Sequence, residues 1–377
     1  MENWNIELEK ILKSNVPDPS PFRDLSQHGL VLYGAGSMGL MALDLMRSAG
    51  KSPEYFVDKN PRNDVDGIKV IIPEKIPAAD LKNFTFIICI ATIPVDPIFD
   101  YLKKQGCVDV RHFYDYSEIA LQGLMTNGWV VFEPDKEQIE GIKSTCKLLD
   151  HDKYSIAHYM QFLWWRLRRK EVIYPEWPVL SHEKYFTVPS FPVLTKNEIF
   201  VDGGAHFGSI ITTFNEVTRG QFNEIIAFEP DLGNQQILEK EVSPEVLQRT
   251  RTINKALLNV CTQKSFQNGL GYASKLMDMG PETINTVTLD SMSDISPTII
   301  KLHIEGDELS ALEGSVKTIT NYRPIVMTLA DHDSDGLYRI ADFFKALKNY
   351  TLFFYLHDYC GNSAIYYAYP NERLNLK

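Results

Sequence analysis

Two apolar, β-branched runs, NEIFVDGGAHFG at 197–208 and IIKLHIEGDELSALEG at 299–314, end in acidic and glycine residues and then give way to a helix-period pattern. That order confines this part of the chain to an open α/β sheet whose strands present ligand-binding groups at their carboxyl ends. Between them IIAFEPD, at 225–231, reads as a third strand ending in an acid. Gly203, Gly204 and Gly208 remove side chains where a strand turns sharply into a helix and a ligand can approach the backbone. Asp202 sits at the strand tip. Glu229 follows about one βα unit later, where such sheets place the carboxylate that binds ribose hydroxyls, and one ionised carboxylate can accept from both hydroxyls of a diol. The GGxxxG spacing is not the full GxGxxG pattern, so it leaves open a dinucleotide, another adenosine cofactor, or an ordinary tight turn.

Five blocks in order extend the pattern: VDGGAHFG, AFEPD with Asn234 just after it, VTLDS at 287–291, IKLHIEGDELSALEGS, and YRPIVMTLADH. Together they resemble the FkbM-like methyltransferases, which use S-adenosylmethionine, over residues 195–370. The resemblance implies a seven-stranded, Rossmann-like methyltransferase fold. In such a fold the turn at Asp202, Gly203, Gly204 and Gly208 holds the methionine and ribose portions of the cofactor, and Glu229 grips the ribose.

The chain departs from the family pattern at two positions. His206 stands where the family often has Asn, and His303 replaces the aspartate of the usual KIDVEG, here KLHIEG. Period-two alternation would point His303 to the same side as Glu305. A neutral imidazole can accept a hydroxyl proton near pH 7, so loss of the aspartate need not end the chemistry. The candidate bases are His303, Glu305 and His332. Each has a structural alternative: a hydrogen-bonded core histidine at 303, a helix cap near Asp307 for Glu305, and a loop cap for His332. An acid at the end of an apolar strand is costly unless it binds something, which favours a role for Glu305.

The first third of the chain holds a second glycine turn. LVLYGAGSMGLMALDLMRSAG reads as a strand, then Gly34, Gly36 and Gly39 in GxGxxG, then an amphipathic helix. A second strand ends in Asp58, close to the spacing of a ribose-binding acid. Strands at 69–72, 86–92 and 111–114 and a helix over Val95 to Gln105 complete half of a doubly wound domain. This module looks like the small Rossmann-like units that precede sugar-modifying domains in glycan-assembly proteins. Gly34, Gly36, Gly39 and Asp58 form a candidate second nucleotide site. Without a hydride-transfer constellation nearby, it reads as a binding or docking module rather than an oxidoreductase.

The expected organisation is an N-terminal helix and linker (1–25), a smaller Rossmann-like α/β domain (26–120), a helical connector (121–195) and the methyltransferase domain (196–377). In the connector, Trp164, Trp165, Arg166, Arg168 and Arg169 suggest a helix with its aromatics inward and its arginines solvated, or else a cleft lid or a homodimer contact. Tyr272, Ser274 and Lys275, in a glycine-punctuated loop, are further candidates to meet cofactor or substrate.

A net charge of −11 argues against a nucleic-acid or anionic-membrane binder, which would carry a basic field. The natural partner is a small-molecule or glycan-precursor substrate. Five scattered cysteines lack CxxC spacing, so no metal site or disulfide framework is expected, and the compartment reads as reducing and cytoplasmic. The sequence therefore points to O-methylation of a sugar or small-metabolite hydroxyl. The alternatives are an NAD- or nucleotide-sugar-binding oxidoreductase centred on GAGSMG, or a non-catalytic binding protein that retains the fold.

Overall fold

The structure, a computed structural model, describes residues 3–15, 28–60, 63–120, 131–268, 274–276, 280 and 282–374. The chain opens with α1 (Trp4–Lys13), whose Trp4, Leu8 and Ile11 form one buried stripe. The N-terminal module contains β1 (Leu30–Tyr33), α2 (Ser37–Ser48), β2 (Tyr55–Val57), β3 (Asp64–Val65), β4 (Ile68–Ile71), α3 (Ala78–Asn83), β5 (Thr85–Ile88), α4 (Asp96–Lys104), β6 (Asp109–His112) and α5 (Phe113–Ala120). Its sheet runs β3-β4-β2-β1-β5-β6, parallel except for the β3/β4 pair, so the strand order reverses beside the glycine turn after β1. The sequence expectation of a strand over 111–114 is corrected at its end. Phe113 and Tyr114 open α5, because the imidazole Nδ1 of His112 accepts the Tyr114 N–H and redirects the backbone.

Two helices follow, α6 (Lys136–Leu149) and α7 (Lys153–Arg168). The methyltransferase-type domain then comprises β7 (Ile199–Gly203), α8 (Ser209–Val217), β8 (Glu224–Phe228), α9 (Leu232–Glu241), α10 (Pro244–Leu247), β9 (Thr250–Ile253), β10 (Ala256–Leu257), β11 (Gln263–Gln267), β12 (Lys275–Leu276), β13 (Glu282–Val287), β14 (Ile299–Leu302), α11 (Glu308–Glu313), α12 (Val316–Tyr322), β15 (Ile325–Leu329), α13 (Arg339–Ala346), β16 (Tyr350–Leu356), β17 (Ala364–Pro370) and α14 (Asn371–Leu374). Seven strands order as β16-β17-β15-β14-β7-β8-β9, with β17 antiparallel to both neighbours and the remainder parallel. The fold is thus α/β and Rossmann-like, and β16 and β17 close the sheet as an antiparallel hairpin around Gly361. A continuous helix over 307–319 is not formed. It breaks at Gly314, where a Cβ would overlap the Leu258 carbonyl oxygen, so close packing on that loop overrides helical periodicity.

Parallel strands covered on both faces need apolar side chains on both. Val201, Ile226, Ile300 and Val326 face one core, and Phe200, Ile225, Ile299 and Ile325 face the other. The first core is continuous through α7 with Val31, Phe86 and Ile88 of the N-terminal sheet. Along α7 every side chain from Ser155 to Arg168 is buried, so the expected solvated arginine face is replaced by buried arginines. Arg168 donates to the Ile11 and Leu12 carbonyls, Arg166 to the Asp331 carbonyl, and Arg169 pairs with Asp115 at 3.2 Å. Neither a lid nor a dimer contact can use guanidinium groups spent in this way. The same helix protects the edge strand β16, where Ser155 Oγ and His158 Nδ1 accept the Phe354 and Leu356 N–H groups.

Candidate active site

The chain runs from β7 outward through β8 to β9 and returns to β14 on the other side of β7. A crevice therefore opens at the carboxyl ends of β7 and β14, as open α/β sheets place their ligand sites. A cavity lies there, walled by Gly204, His206, Glu229, Asn234, His303, Glu305 and Asp307, with Leu257, Phe266 and Leu276 of the small β10–β13 sheet as an apolar side. Lys184 and Tyr185, from the segment after α7, close it further.

The glycine turn is built for close approach. Gly204 has φ +74°, and a Cβ there would overlap the His303 carbonyl oxygen. Gly208 has φ +82° at the N-cap of α8, where a Cβ would run into Val242. His206 also adopts a left-handed φ of 56°, which suits the Asn often found there in the family better than a bulky side chain. Its N–H donates to Glu229 Oε2 at 2.8 Å, while Oε1 accepts from the Asp231 N–H and Asn234 Nδ2. Three of about four acceptor positions on Glu229 are thus taken. The carboxylate is fixed in the cavity wall with room for about one further donor, fewer than the two anticipated from the sequence. Burial raises its pKa, against the pull of these donors.

Asp202 does not line the cavity. It is fully buried beneath the turn, with Oδ1 on the Lys301 ammonium at 2.7 Å and Oδ2 without a hydrogen-bond partner among the described residues. Lys301 also donates to the Gly204 carbonyl at 2.7 Å and the Gly203 carbonyl at 3.3 Å, so the pair fixes the turn from below. Gly203 and Gly208 act likewise as backbone supports outside the lining.

The three candidate bases converge. The Nε2 atoms of His303 and His332 lie 3.3 and 3.5 Å from Glu305 Oε1. His303 and Glu305 share one side of the cleft as expected, but not through strand alternation: β14 ends at Leu302 and Glu305 turns left-handed at φ 59°, before Gly306 at φ 114°. Burial, with the His332, Lys301 and Lys184 charges, holds His303 well below the usual imidazole range, so it is neutral. Burial alone would lower His332 too, but Glu308, Glu305 and Asp331 together raise it to about 10. Glu308 Oε1 accepts from His332 Nδ1 at 2.7 Å, and Glu308 is itself held by the Ile304 and Gly306 N–H groups.

Sequence reasoning missed Glu308, Asp307 and Tyr185. Burial and Glu308 lift Asp307 to about 6 against the pull of Lys264, which places an acid titrating near neutrality in the cavity wall. EGDE in the sequence carries the acidic density that signals the first two. Nothing in the sequence places Tyr185, whose hydroxyl meets His303 Nδ1 at 3.1 Å from a distant loop. Ser274 lines the cavity and donates to Asp231. Tyr272 lies outside the described residues, as does the side chain of Lys275.

In the N-terminal module the Ala35 N–H donates to Asp58 Oδ2 at 2.8 Å, repeating the relation between His206 and Glu229. Gly34 has φ +112° and a Cβ there would lie 2.7 Å from the Cys89 carbonyl oxygen, Gly39 packs on the Gly34 carbonyl, and Gly36 faces open space.

A seven-stranded α/β sheet with a glycine turn and a wall carboxylate at the switch point defines the methyltransferase class of Rossmann-like folds. Residues 202–361 match the family described as Methyltransferase FkbM domain, the family that the sequence blocks resemble. Over its whole length the chain is similar in fold to the methyltransferase FkbM from Methylobacillus flagellatus, with a TM-score of 0.62, 18% identity, and 97% of this chain and 98% of that one covered. More distant likenesses include an rRNA methylase from Streptococcus thermophilus (TM-score 0.31, 12% identity, 47% of this chain and 89% of that one). Another is a Podospora anserina methyltransferase solved with SAH bound (TM-score 0.28, 9% identity, 64% and 98%). No curated protein matches the sequence. Among the described residues no helix is long and apolar enough to cross a membrane.

Proposed function

We propose that this protein is an S-adenosylmethionine-dependent methyltransferase acting on a hydroxyl of a sugar or other small metabolite. The observation that carries the reading is a single cavity with the anchored Glu229 carboxylate on one wall and the His303, Glu305 and Asp307 cluster on another, joined by a glycine turn that admits no side chain. The residues fit the cofactor: Glu229 keeps acceptor capacity for a ribose hydroxyl, and the Gly204 cradle keeps the backbone open to the remainder. The cofactor supplies a methyl group already activated by sulfonium charge, so the protein's task is placement and removal of one proton.

Placement of an acceptor oxygen at near-attack distance contributes on the order of 7–11 kcal/mol, and a positioned base about 10²–10⁴-fold. Asp307, ionising near neutrality, is the carboxylate best matched to receive the hydroxyl proton, with Glu305 and neutral His303 adjoining it. His332 already holds its proton and acts as a fixed charge in the cofactor-free protein. Lys184 and Lys255, which line the same cavity, favour an acceptor with anionic character, such as a glycan precursor.

Incubation with methyl-labelled S-adenosylmethionine and a panel of phosphorylated and nucleotide-linked sugars should give labelled, base-stable ethers, strongly reduced in Asp307→Asn. Label appearing only in base-labile esters, or on amines, would overturn the hydroxyl assignment. The device shared by Ala35 and Asp58 supports a second reading, a nucleotide-binding role for the N-terminal module, tested by titration with NAD and nucleotide sugars.

A further inference from the structure

We propose that His303 Nε2, Glu305 Oε1 and His332 Nε2 form a binding site for a divalent first-row transition cation at the end of the cavity. One ligand atom from each residue lies within 4.8 Å of the others. The separations of 3.3 Å and 3.5 Å from Glu305 Oε1 are long for hydrogen bonds, whose N···O distance centres near 2.9 Å. They suit ligands that share one ion, since two bonds of about 2.1 Å meeting at a tetrahedral angle hold their ligand atoms about 3.4 Å apart.

Both imidazoles are oriented as metal ligands are. The Nδ1–H of His332 donates to Glu308 Oε1 at 2.7 Å, and His303 Nδ1 lies 3.1 Å from the Tyr185 hydroxyl, which can accept a hydrogen bond from it when Nε2 is given to an ion. These contacts turn both Nε2 atoms toward Glu305, where an incoming ion displaces the Nε2 proton of His332 and takes its lone pair, and Glu308 is held in turn by the Ile304 and Gly306 N–H groups. Glu305 reaches this point through a left-handed backbone that an L-residue adopts at a cost, a conformation that recurs at ligand sites.

Two imidazoles and one carboxylate, with further positions open toward the cavity, are the donor set of a catalytic rather than a structural metal site. The ion would take an oxygen of the acceptor as an additional ligand and orient it. This role rests on the methyltransferase reading, whereas ion binding itself does not.

The test is titration of chelator-treated full-length protein with Co²⁺, followed by visible d–d absorption and by calorimetry, with S-adenosylhomocysteine titrated separately. The expected result is one Co²⁺ per chain, lost in His303→Ala and Glu305→Gln, and weakened about 10–100-fold in Glu308→Gln, whose residue only positions a ligand. Far-UV circular dichroism establishes that each variant is folded, and Glu305→Gln, nearly isosteric, is the decisive variant. Absence of Co²⁺ binding in the wild type, or binding that persists unchanged in Glu305→Gln, overturns the site and leaves the trio as an ion-pair network around a protonated His332. Wild type that binds S-adenosylhomocysteine but not Co²⁺ refutes the metal site alone. Wild type that binds Co²⁺ but not S-adenosylhomocysteine refutes the methyltransferase reading alone.

Discussion

Lys301→Met probes the support beneath the glycine turn. The ammonium contacts Asp202 Oδ1 and the Gly203 and Gly204 carbonyls, and among the described residues no other cation acts on the fully buried Asp202 carboxylate. Removing one partner of a buried pair leaves an uncompensated charge and typically costs about 3–5 kcal/mol. Asp202 can limit that cost by taking a proton, because burial already raises its pKa and loss of Lys301 raises it further. A raised pKa means that the native state keeps a proton which the unfolded chain releases above about pH 4, so stability falls as pH rises, at up to roughly 1.4 kcal/mol per unit. Urea unfolding should therefore show a deficit of about 3–5 kcal/mol at pH 7.5 that shrinks clearly by pH 5, and Lys301→Met/Asp202→Asn should recover more than half of it. A deficit below about 1 kcal/mol, or one independent of pH, would refute the claim that this pair holds the turn.

Other substitutions test separate features. Gly204→Ala should cost about 2–4 kcal/mol, combining left-handed strain with overlap on the His303 carbonyl, whereas Gly36→Ala, whose Cβ meets open space, should stay within about 0.5 kcal/mol by thermal unfolding. Asp307→Asn removes a carboxyl held at about 6 rather than its usual 3.8, so the variant should be more stable by roughly 1–3 kcal/mol above pH 6 and no different below about pH 4. A gain at acid pH instead would contradict the burial argument. Arg168→Ala removes the guanidinium donors of the Ile11 and Leu12 carbonyls, leaving Ile11 the Ser14 N–H, and should cost about 2–4 kcal/mol. Hydrogen exchange in α1 should accelerate, while β14 and β15 stay protected.

The sheet and its ligand edge were legible because both obey local rules. β-branched runs ending in GG or EG announce strands that stop at a cleft, and Glu229 and Gly204 stand where that pattern puts them. Elements that depend on distant partners were not legible. The arginines of α7 have the composition of a solvated face, and only the acceptors at Ile11, Leu12, Asp115 and Asp331, far along the chain, explain their burial. Asp202 looked like a cofactor ligand at a strand tip, yet Lys301, its neighbour in β14, draws it beneath the turn. The cluster of His303, Glu305 and His332 was visible as three separate candidates. Their convergence depends on a left-handed turn at Glu305 that alternation does not foresee.

The most direct test of the central claim is calorimetric titration of the wild type with S-adenosylhomocysteine, run beside Glu229→Ala and Asp58→Ala. The account predicts one site per chain, abolished or strongly weakened in Glu229→Ala and unchanged in Asp58→Ala. A folded wild type that takes up no S-adenosylhomocysteine, or whose binding is lost with Asp58 and retained without Glu229, would contradict it.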